Sequence, residues 1–433
     1  MTAEIVLISV IVIIIVFFGF GSLIWYAFRF EVTNFQIVNN IIHLKSKADT
    51  ASSGYINNIK KSNISSSDMS RASLKILHLS DFHLRDDFKG QKLAGFIKIL
   101  SLDSYDFIFI TGDLAEKDEF HEKLIETLKL LKAKYGIYVV FGAHDYYNKK
   151  PAEFIKNMFK KRESYSREND IAGLRRKLES IGIRVLQNES IILSDIAGYD
   201  EIDIVGVDDP IINRMDLRKS LSGIFQNDKD IKMVDISYEN LPLKDLKKIC
   251  NDKDNDFRDS NKSQDKQQDL RKTGSEVTLI QKLTSENEKP GNRESQYLIN
   301  ASEIKKTKEY REAFNLSSEK YQVLNNDKKL KIALVHTPDS YAIVNLALNG
   351  IDAVFAGHTH GGQVRVPGIG ALISGCNIKT GYAAGLFYFK SFVLQVSKGL
   401  GEGRFSRFRI YCDPEAIITE IVFLSNECCQ GDV

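Results

Sequence analysis

Cysteine is scarce in this sequence, and what there is lies scattered. Five occur in 433 residues, at Cys250, Cys376, Cys412, Cys428 and Cys429, with no CxxC spacing. That argues against a structural zinc site, and the odd count fits a reducing compartment better than a disulfide framework. Vicinal Cys428 and Cys429 stand on a polar tail and read as solvated bystanders. An excess of one charge is also missing: 59 Lys+Arg against 57 Asp+Glu leave a formal charge of +2. No basic stripe of the kind a nucleic-acid partner selects is expected, and the basic residues that do cluster are interleaved with acids. There is no Gly-x-x-x-x-Gly-Lys-Ser/Thr phosphate loop and no Gly-x-Ser-x-Gly elbow.

What is present is an ordinary globular composition, 43% hydrophobic and 27% charged, over a length that suits one large α/β domain with additions. Ile5 to Phe28 contains no charged residue. A helix of that length spans the roughly 30 Å hydrocarbon core of a bilayer. Trp25 and Tyr26 sit at its far end, where amphipathic rings favour the interface. A cleaved signal peptide fits less well: its apolar region is shorter and follows positive charge, whereas Glu4 precedes this run. Lys and Arg begin only after the span, at Arg29, Lys45, Lys47, Lys60 and Lys61. The expectation is a single-pass anchor in the cell membrane with the remainder cytoplasmic.

Phe30 to Leu44 alternates loosely and suggests one or two strands, and Ser46 to Ser73 reads as a linker. The pattern then becomes strand–helix alternation. Leu74 to Leu79, Phe107 to Ile110 and Ile137 to Phe141 are apolar strands, with helical spacing at Leu93, Phe96, Ile97, Leu100 and at Leu124, Ile125, Leu128, Leu131. Further strands are expected at 183–186, 191–193 and 202–207. Asn227 to Asp327 is rich in Asp, Lys, Asn, Ser, Gln and Glu and reads as a disordered or weakly helical insertion. Order resumes with a strand over 330–335, a helix over 341–348 and a strand over 351–355. Short apolar runs split by glycines follow, as expected of β structure. The domain division is therefore an anchor over 1–29, a first domain segment over 30–226, the insertion over 227–329, a second domain segment over 330–425 and a tail over 426–433.

Only eight histidines occur, and several stand just after expected strands, beside Asp, Gly or Thr. The runs are Ser80-Asp81-Phe82-His83, Thr111-Gly112-Asp113, Gly142-Ala143-His144-Asp145, Val335-His336-Thr337 and Gly357-His358-Thr359-His360-Gly361-Gly362. Ligands of open α/β sheets bind at the carboxyl ends of strands. Asp81 and His83, two apart, can grip one ion; so can His358 and His360. Asp113 offers two oxygens, enough to bridge two ions. Mixed carboxylate and imidazole donors suit zinc, iron or manganese. Two ions roughly 3.5–4 Å apart can hold a hydroxide between them for in-line attack on phosphorus. One His at a strand end is usually structural; the five runs together point to a metal site. His43, His78 and His121 are read as structural.

These runs, in this order, resemble those of the calcineurin-like metallophosphoesterases, and within them the bacterial membrane-associated branch. Gly206-Val207-Asp208-Asp209, Val335-His336-Thr337-Pro338, Ser397-Lys398-Gly399-Leu400-Gly401 and Pro414-Glu415 carry the same resemblance. It implies an α/β fold of two mixed β-sheets in a sandwich flanked by helices, with a dinuclear centre at one edge. By motif, one metal takes Asp81, His83, Asp113 and His360. The other takes Asp113, His336 and His358, plus an asparagine at the position Ala143 occupies here. His144 stands where the family places a group that stabilises the transition state or protonates the leaving group, with Asp145 orienting it.

The implied activity is metal-dependent hydrolysis of a phosphoester or pyrophosphate bond. The implied partners are a phosphorylated small molecule or a lipid-linked substrate, such as UDP-diacylglucosamine by analogy. Two other readings stand beside it: a catalytically weakened metal-binding or interaction module, suggested by Ala143 and the insertion, and a protein phosphatase.

Overall fold

Burial on both faces distinguishes the central strands from the rest of the chain. The structure, a computed structural model, describes residues 2–45, 73–148, 163–235, 298–300, 322–323, 329–403 and 406–424, with residues 150, 152, 153 and 156. The first helix is α1 (Thr2–Trp25), followed by a π turn over Tyr26–Phe30, a 3-10 turn over Glu31–Thr33 and strand β1 (Gln36–Lys45). Then come β2 (Leu74–Leu79), α2 (Phe88–Leu100), β3 (Phe107–Thr111), α3 (His121–Leu128), β4 (Ile137–Val140) and α4 (Ala143–Tyr146). Helix α5 (Ile171–Ser180) leads to β5 (Ile183–Val185), β6 (Glu189–Ile196), β7 (Tyr199–Val207) and α6 (Leu217–Ser222). Three short strands follow, β8 (Met233–Asp235), β9 (Leu298–Asn300) and β10 (Gln322–Val323). The second half holds β11 (Lys329–Val335), α7 (Ser340–Leu348), β12 (Ala353–Ala356), β13 (Arg365–Val366) and β14 (Gly370–Ala371). It closes with β15 (Gly385–Tyr388), β16 (Val393–Val396) and β17 (Glu415–Leu424).

Among the described residues the strands form two large sheets. One has the order β10-β1-β17-β2-β3-β4-β5, the other β15-β16-β12-β11-β7-β6. Strands β2 to β5 run parallel, joined through helices, while β17 enters antiparallel to β2 and parallel to β1. In the second sheet β11 is parallel to both β7 and β12, and β6 and β15 are antiparallel. Both sheets are mixed, as expected from sequence.

The sheets pack face to face through Phe107, Phe109, Ile332, Leu334 and Phe355, all fully buried. Phe109 and Phe355 meet at 5.2 Å between ring centroids, with planes at 66°, an edge-on pairing of opposite quadrupole regions. Removing either ring costs about 3–5 kcal/mol by cavity formation. Outer clusters cover the other faces: Leu93, Ile97, Leu124 and Leu174 on the first sheet, Ile343, Leu346 and Leu221 on the second. Helix α2 starts where the Asp87 side chain accepts from Gly90 N at 2.9 Å, and α7 where Asp339 accepts from Tyr341 N at 2.9 Å. This layering makes the strands sandwich cores, hence their near-continuous apolar runs.

Chain ends and the insertion complete the description. Phe30 to Leu44 forms a single strand after two short turns. At the start of the expected insertion, Ile231 and Met233 are buried in the second outer cluster. Lys232 exchanges two backbone hydrogen bonds with the Asn349 side chain, at 2.8 and 2.7 Å. Strand β8 pairs in parallel with β9. Residues 236–297, 301–321 and 324–328 of the insertion, the 46–72 linker and the tail after 424 lie outside the described residues.

Candidate metal centre

Each strand that carries a motif ends on the same side of the sandwich. Asp81 and His83 follow β2, Asp113 follows β3, and His144 stands in α4 just beyond β4. His336 follows β11, and His358 and His360 follow β12. The structure brings all of them together. Asp81, His83 and His360 present donor atoms within 4.8 Å of one another, as do Asp81, Asp113 and His336, and also His83, Glu116 and His144.

The backbone is strained to do this. Asp81, His83, Asp113, His358 and His360 have φ of 51°, 42°, 52°, 66° and 48°, in the left-handed region that non-glycine residues rarely adopt. Interstrand loop bonds hold them there: Asp81 N donates to Gly112 O at 2.9 Å, His83 N to Asp113 O at 2.9 Å, and Gly357 N to His336 O at 2.9 Å. The Asp145 carboxylate braces this frame. It accepts from Asp113 N and Gly142 N at 2.9 Å each and from Leu114 N at 2.7 Å. Asp145 thus orients the backbone of the Asp113 loop. Glycine is required at 142, where a Cβ would run into Asp113 Oδ1 and the His336 ring.

Hydrogen bonds at the periphery fix each imidazole tautomer. His83 Nδ1 faces Glu116 Oε1 at 2.9 Å, His336 Nδ1 faces Thr111 O at 2.6 Å, and His360 Nδ1 faces Gly401 O at 3.1 Å. His358 Nε2 faces Gly375 O at 3.2 Å. These acceptors place the ring protons outward, so each inner nitrogen carries a lone pair. The inner nitrogens converge: His83 Nε2 and His360 Nε2 stand 3.1 Å apart, and His358 Nδ1 and His336 Nε2 stand 3.3 Å apart. His336 Nε2 and His83 Nε2 lie 3.3 and 3.5 Å from Asp113 Oδ2. Asp81 Oδ1 is buried without a hydrogen-bond partner. Lone pairs aimed at lone pairs, beside an orphaned carboxylate oxygen, are what a cation site requires. The residues present fit divalent metal.

The electrostatics show the same demand for positive charge, which a metal ion or, without one, a proton on an imidazole would meet. Burial pushes the His360 imidazole down to about 3, so it stays neutral at physiological pH. Burial also opposes charge on His336, but Asp113, Asp81 and Asp209 outweigh it and raise its pKa. Asp113 is likewise buried, yet His336, His144 and His83 hold its carboxyl well below the usual range.

Several participants had no signal of their own in the sequence. Glu116 was visible only as a residue in the loop after Asp113. His78, expected to be structural, is fully buried and heads a hydrogen-bond chain into the site. Gln395 Nε2 donates to His78 Nδ1 at 3.1 Å, His78 Nε2 reaches Thr111 Oγ1 at 2.9 Å, Thr111 reaches Ser80 Oγ at 2.8 Å, and Ser80 reaches Asp81 Oδ2 at 2.5 Å. Arg409, fully buried, donates through Nη2 to Lys398 O at 2.9 Å and to Gly401 O, the carbonyl that orients His360.

Residues 74–234 match the family model for calcineurin-like phosphoesterases. That segment is a calcineurin-like phosphoesterase domain. The chain is 33% identical over 158 residues to the uncharacterized metallophosphoesterase YkoQ of Bacillus subtilis, covering 36% of this chain and 50% of that one. It is 28% identical over 163 residues to a Bos taurus transmembrane protein with metallophosphoesterase domain, covering 35% and 32%. It is 34% identical over 92 residues to the phosphodiesterase YaeI of Escherichia coli, covering 21% and 32%. The chain spans half or less of the length of these relatives. Outside the domain, α1 belongs to the one helix among the described residues that is long and apolar enough to cross a membrane.

Proposed function

We propose that the protein is a membrane-anchored, metal-dependent phosphohydrolase that cleaves a phosphoester or pyrophosphate bond. The observation that carries this reading is the convergence of the His83, His336 and His360 rings on Asp81 and Asp113, with His358 Nδ1 3.3 Å from His336 Nε2 and each ring oriented from behind. Asp81, His83, Asp113 and His360 would hold one divalent ion, and Asp113, His336 and His358 a second, of manganese, iron or zinc. Such ions make water a nucleophile at neutral pH and neutralise charge growing on phosphoryl oxygens.

The chain's own residues supply the rest. His144, half-buried, stands edge-on to His83 at 4.6 Å between ring centroids, and its backbone N–H donates to Asp113 Oδ1 at 2.9 Å. From there its ring can give a proton to a departing alkoxide or phosphate. Asp145 fixes the backbone on which both His144 and Asp113 sit. α1 would hold the site at the cytoplasmic face of the cell membrane, where a lipid-linked phosphate such as UDP-diacylglucosamine is a fitting substrate.

Ala143 supports a second reading, a weakened metal-binding module. Its side chain is buried and has no donor atom, so the second ion loses one ligand. The His144 ring shares a cluster with His83 and Glu116 on the first ion's side, so it would have to swing across to take that place.

Purified full-length protein with manganese added should hydrolyse an aryl phosphomonoester or phosphodiester, and lose at least about 100-fold on Asp113→Asn. Two bound ions with no turnover of any phosphate ester would favour the module. Release of UMP from UDP-diacylglucosamine tests the lipid substrate separately.

A further inference from the structure

Apolar side chains that water should have driven inward stand exposed on one small hairpin beside the metal centre. Residues 364–373 form the β13–β14 turn, and Ile369, Leu372 and Ile373 on it are 74%, 54% and 66% exposed. Tyr411, on the neighbouring loop, is 66% exposed. Val364 bridges to Ile410, and Arg365 N donates to Ile410 O at 2.9 Å, so hairpin and loop are one unit.

That unit lies along the anchor. Ile410 and Tyr411 share an open groove of about 810 Å³ with Phe17, Trp25 and Tyr26. Phe17 is two turns before Trp25, roughly 12 Å deeper along the helix. The domain therefore reaches a level of α1 that a bilayer would surround. The junction is tied as well as touching: Arg409 N donates to Ala27 O at 3.2 Å, the buried Glu31 carboxylate accepts from Cys412 N, and Phe28 meets Phe408 at 5.2 Å.

We propose that the 364–373 hairpin and Tyr411 form a second membrane contact, seated among the lipids of the bilayer that α1 crosses. This rests on the anchored reading of α1. Its occupant is lipid because the patch continues the surface of a membrane-length helix, and Trp25, Tyr26 and Tyr411 supply the aromatic rings that favour head-group level. The contact turns the metal centre toward the membrane. Ala371 and Ile373 O pack where a Gly362 Cβ would point, and Gly375 O, two residues past the hairpin, orients His358. A phosphate in a lipid head group would then meet the site in the plane of the bilayer.

Trp25 is the sole tryptophan, which makes the test direct. Full-length protein is placed in nanodiscs containing lipids brominated near the head group. Emission is compared for wild type and for Trp25→Phe combined with Ile369→Trp, Leu372→Trp or Leu102→Trp. Leu102 is 83% exposed and follows α2 at the end of the sheet opposite the site. The expected result is blue-shifted, bromine-quenched emission from positions 369 and 372, comparable to Trp25, with position 102 unquenched. Quenched Trp25 with water-like emission from both hairpin positions overturns the second contact and leaves the anchor standing. Unquenched Trp25 overturns the anchored reading itself. Protection of the hairpin positions in detergent without lipid, but only on dimerisation, would assign the patch to a second copy and overturn the proposal.

Discussion

His83 Nε2 and His360 Nε2 stand 3.1 Å apart although 277 positions separate them in the chain. Glu116 and Gly401 O take the proton on the far side of each ring. Two lone pairs at that distance repel unless a proton or a metal ion lies between or beside them. Burial opposes charge on His83, but Glu116, Asp113 and Asp81 outweigh it and raise its pKa, so the pair is built to hold a cation.

Metal removal should follow from this. Full-length protein is expected to carry two divalent ions per chain, and chelation should lower its melting temperature on the order of 10 °C, with recovery on adding manganese, zinc or iron. Elemental analysis and thermal scans check this. A melting point indifferent to chelator, with less than one ion per chain, would sink the metal-centre assignment.

Ala143 makes a gain-of-function prediction. Ala143→Asn restores the donor that the family resemblance places at this position and should tighten the weaker metal site by about tenfold or more, following the usual cost of a lost metal-site contact. Competition with a chromophoric chelator measures it. Unchanged or weakened affinity would mean that another group, with His144 the leading candidate, already fills the position.

His78 is predicted to matter more than its distance from the metals suggests. Burial pushes its imidazole down to about 3, so it acts as a neutral hydrogen-bond relay. His78→Leu takes one buried partner from Thr111 Oγ1 and leaves Gln395 Nε2 without its His78 acceptor, and should cost about 2–4 kcal/mol of stability. It should also loosen metal retention, because Ser80 then loses the chain that aims it at Asp81. Full stability in urea titrations would refute the relay.

A pH window should arise from Asp208. Burial pushes its carboxyl up to about 6, with the Tyr146 hydroxyl 2.7 Å from both of its oxygens. The unfolded value is about 3.9. Between roughly pH 4 and pH 6 the unfolded chain releases its proton first, so stability falls as pH rises and then levels off. Asp208→Asn removes this dependence. The variant's stability relative to wild type should therefore climb by about 2–3 kcal/mol from pH 4 to pH 7. Parallel pH profiles for the two proteins would contradict it.

The sequence by itself determined much of this protein. Leu74 to Leu79 and Phe107 to Thr111 are apolar on both faces, so they had to be central strands. Their polar ends at Asp81 and Asp113 had to emerge at the carboxyl edge. Charge-free Ile5 to Phe28 had to be a long helix. These features are local: period, run length and the residue that ends each run. Tertiary structure decided the rest. That β17 wedges between β1 and β2, that Gln395 and His78 reach Asp81 through two hydroxyls, and that Arg409 and Gly401 orient His360 depend on contacts between distant segments. So does the seating of Ile410 and Tyr411 against α1. No periodicity records which remote carbonyl will face an imidazole, because that choice is made only when the two sheets close on one another.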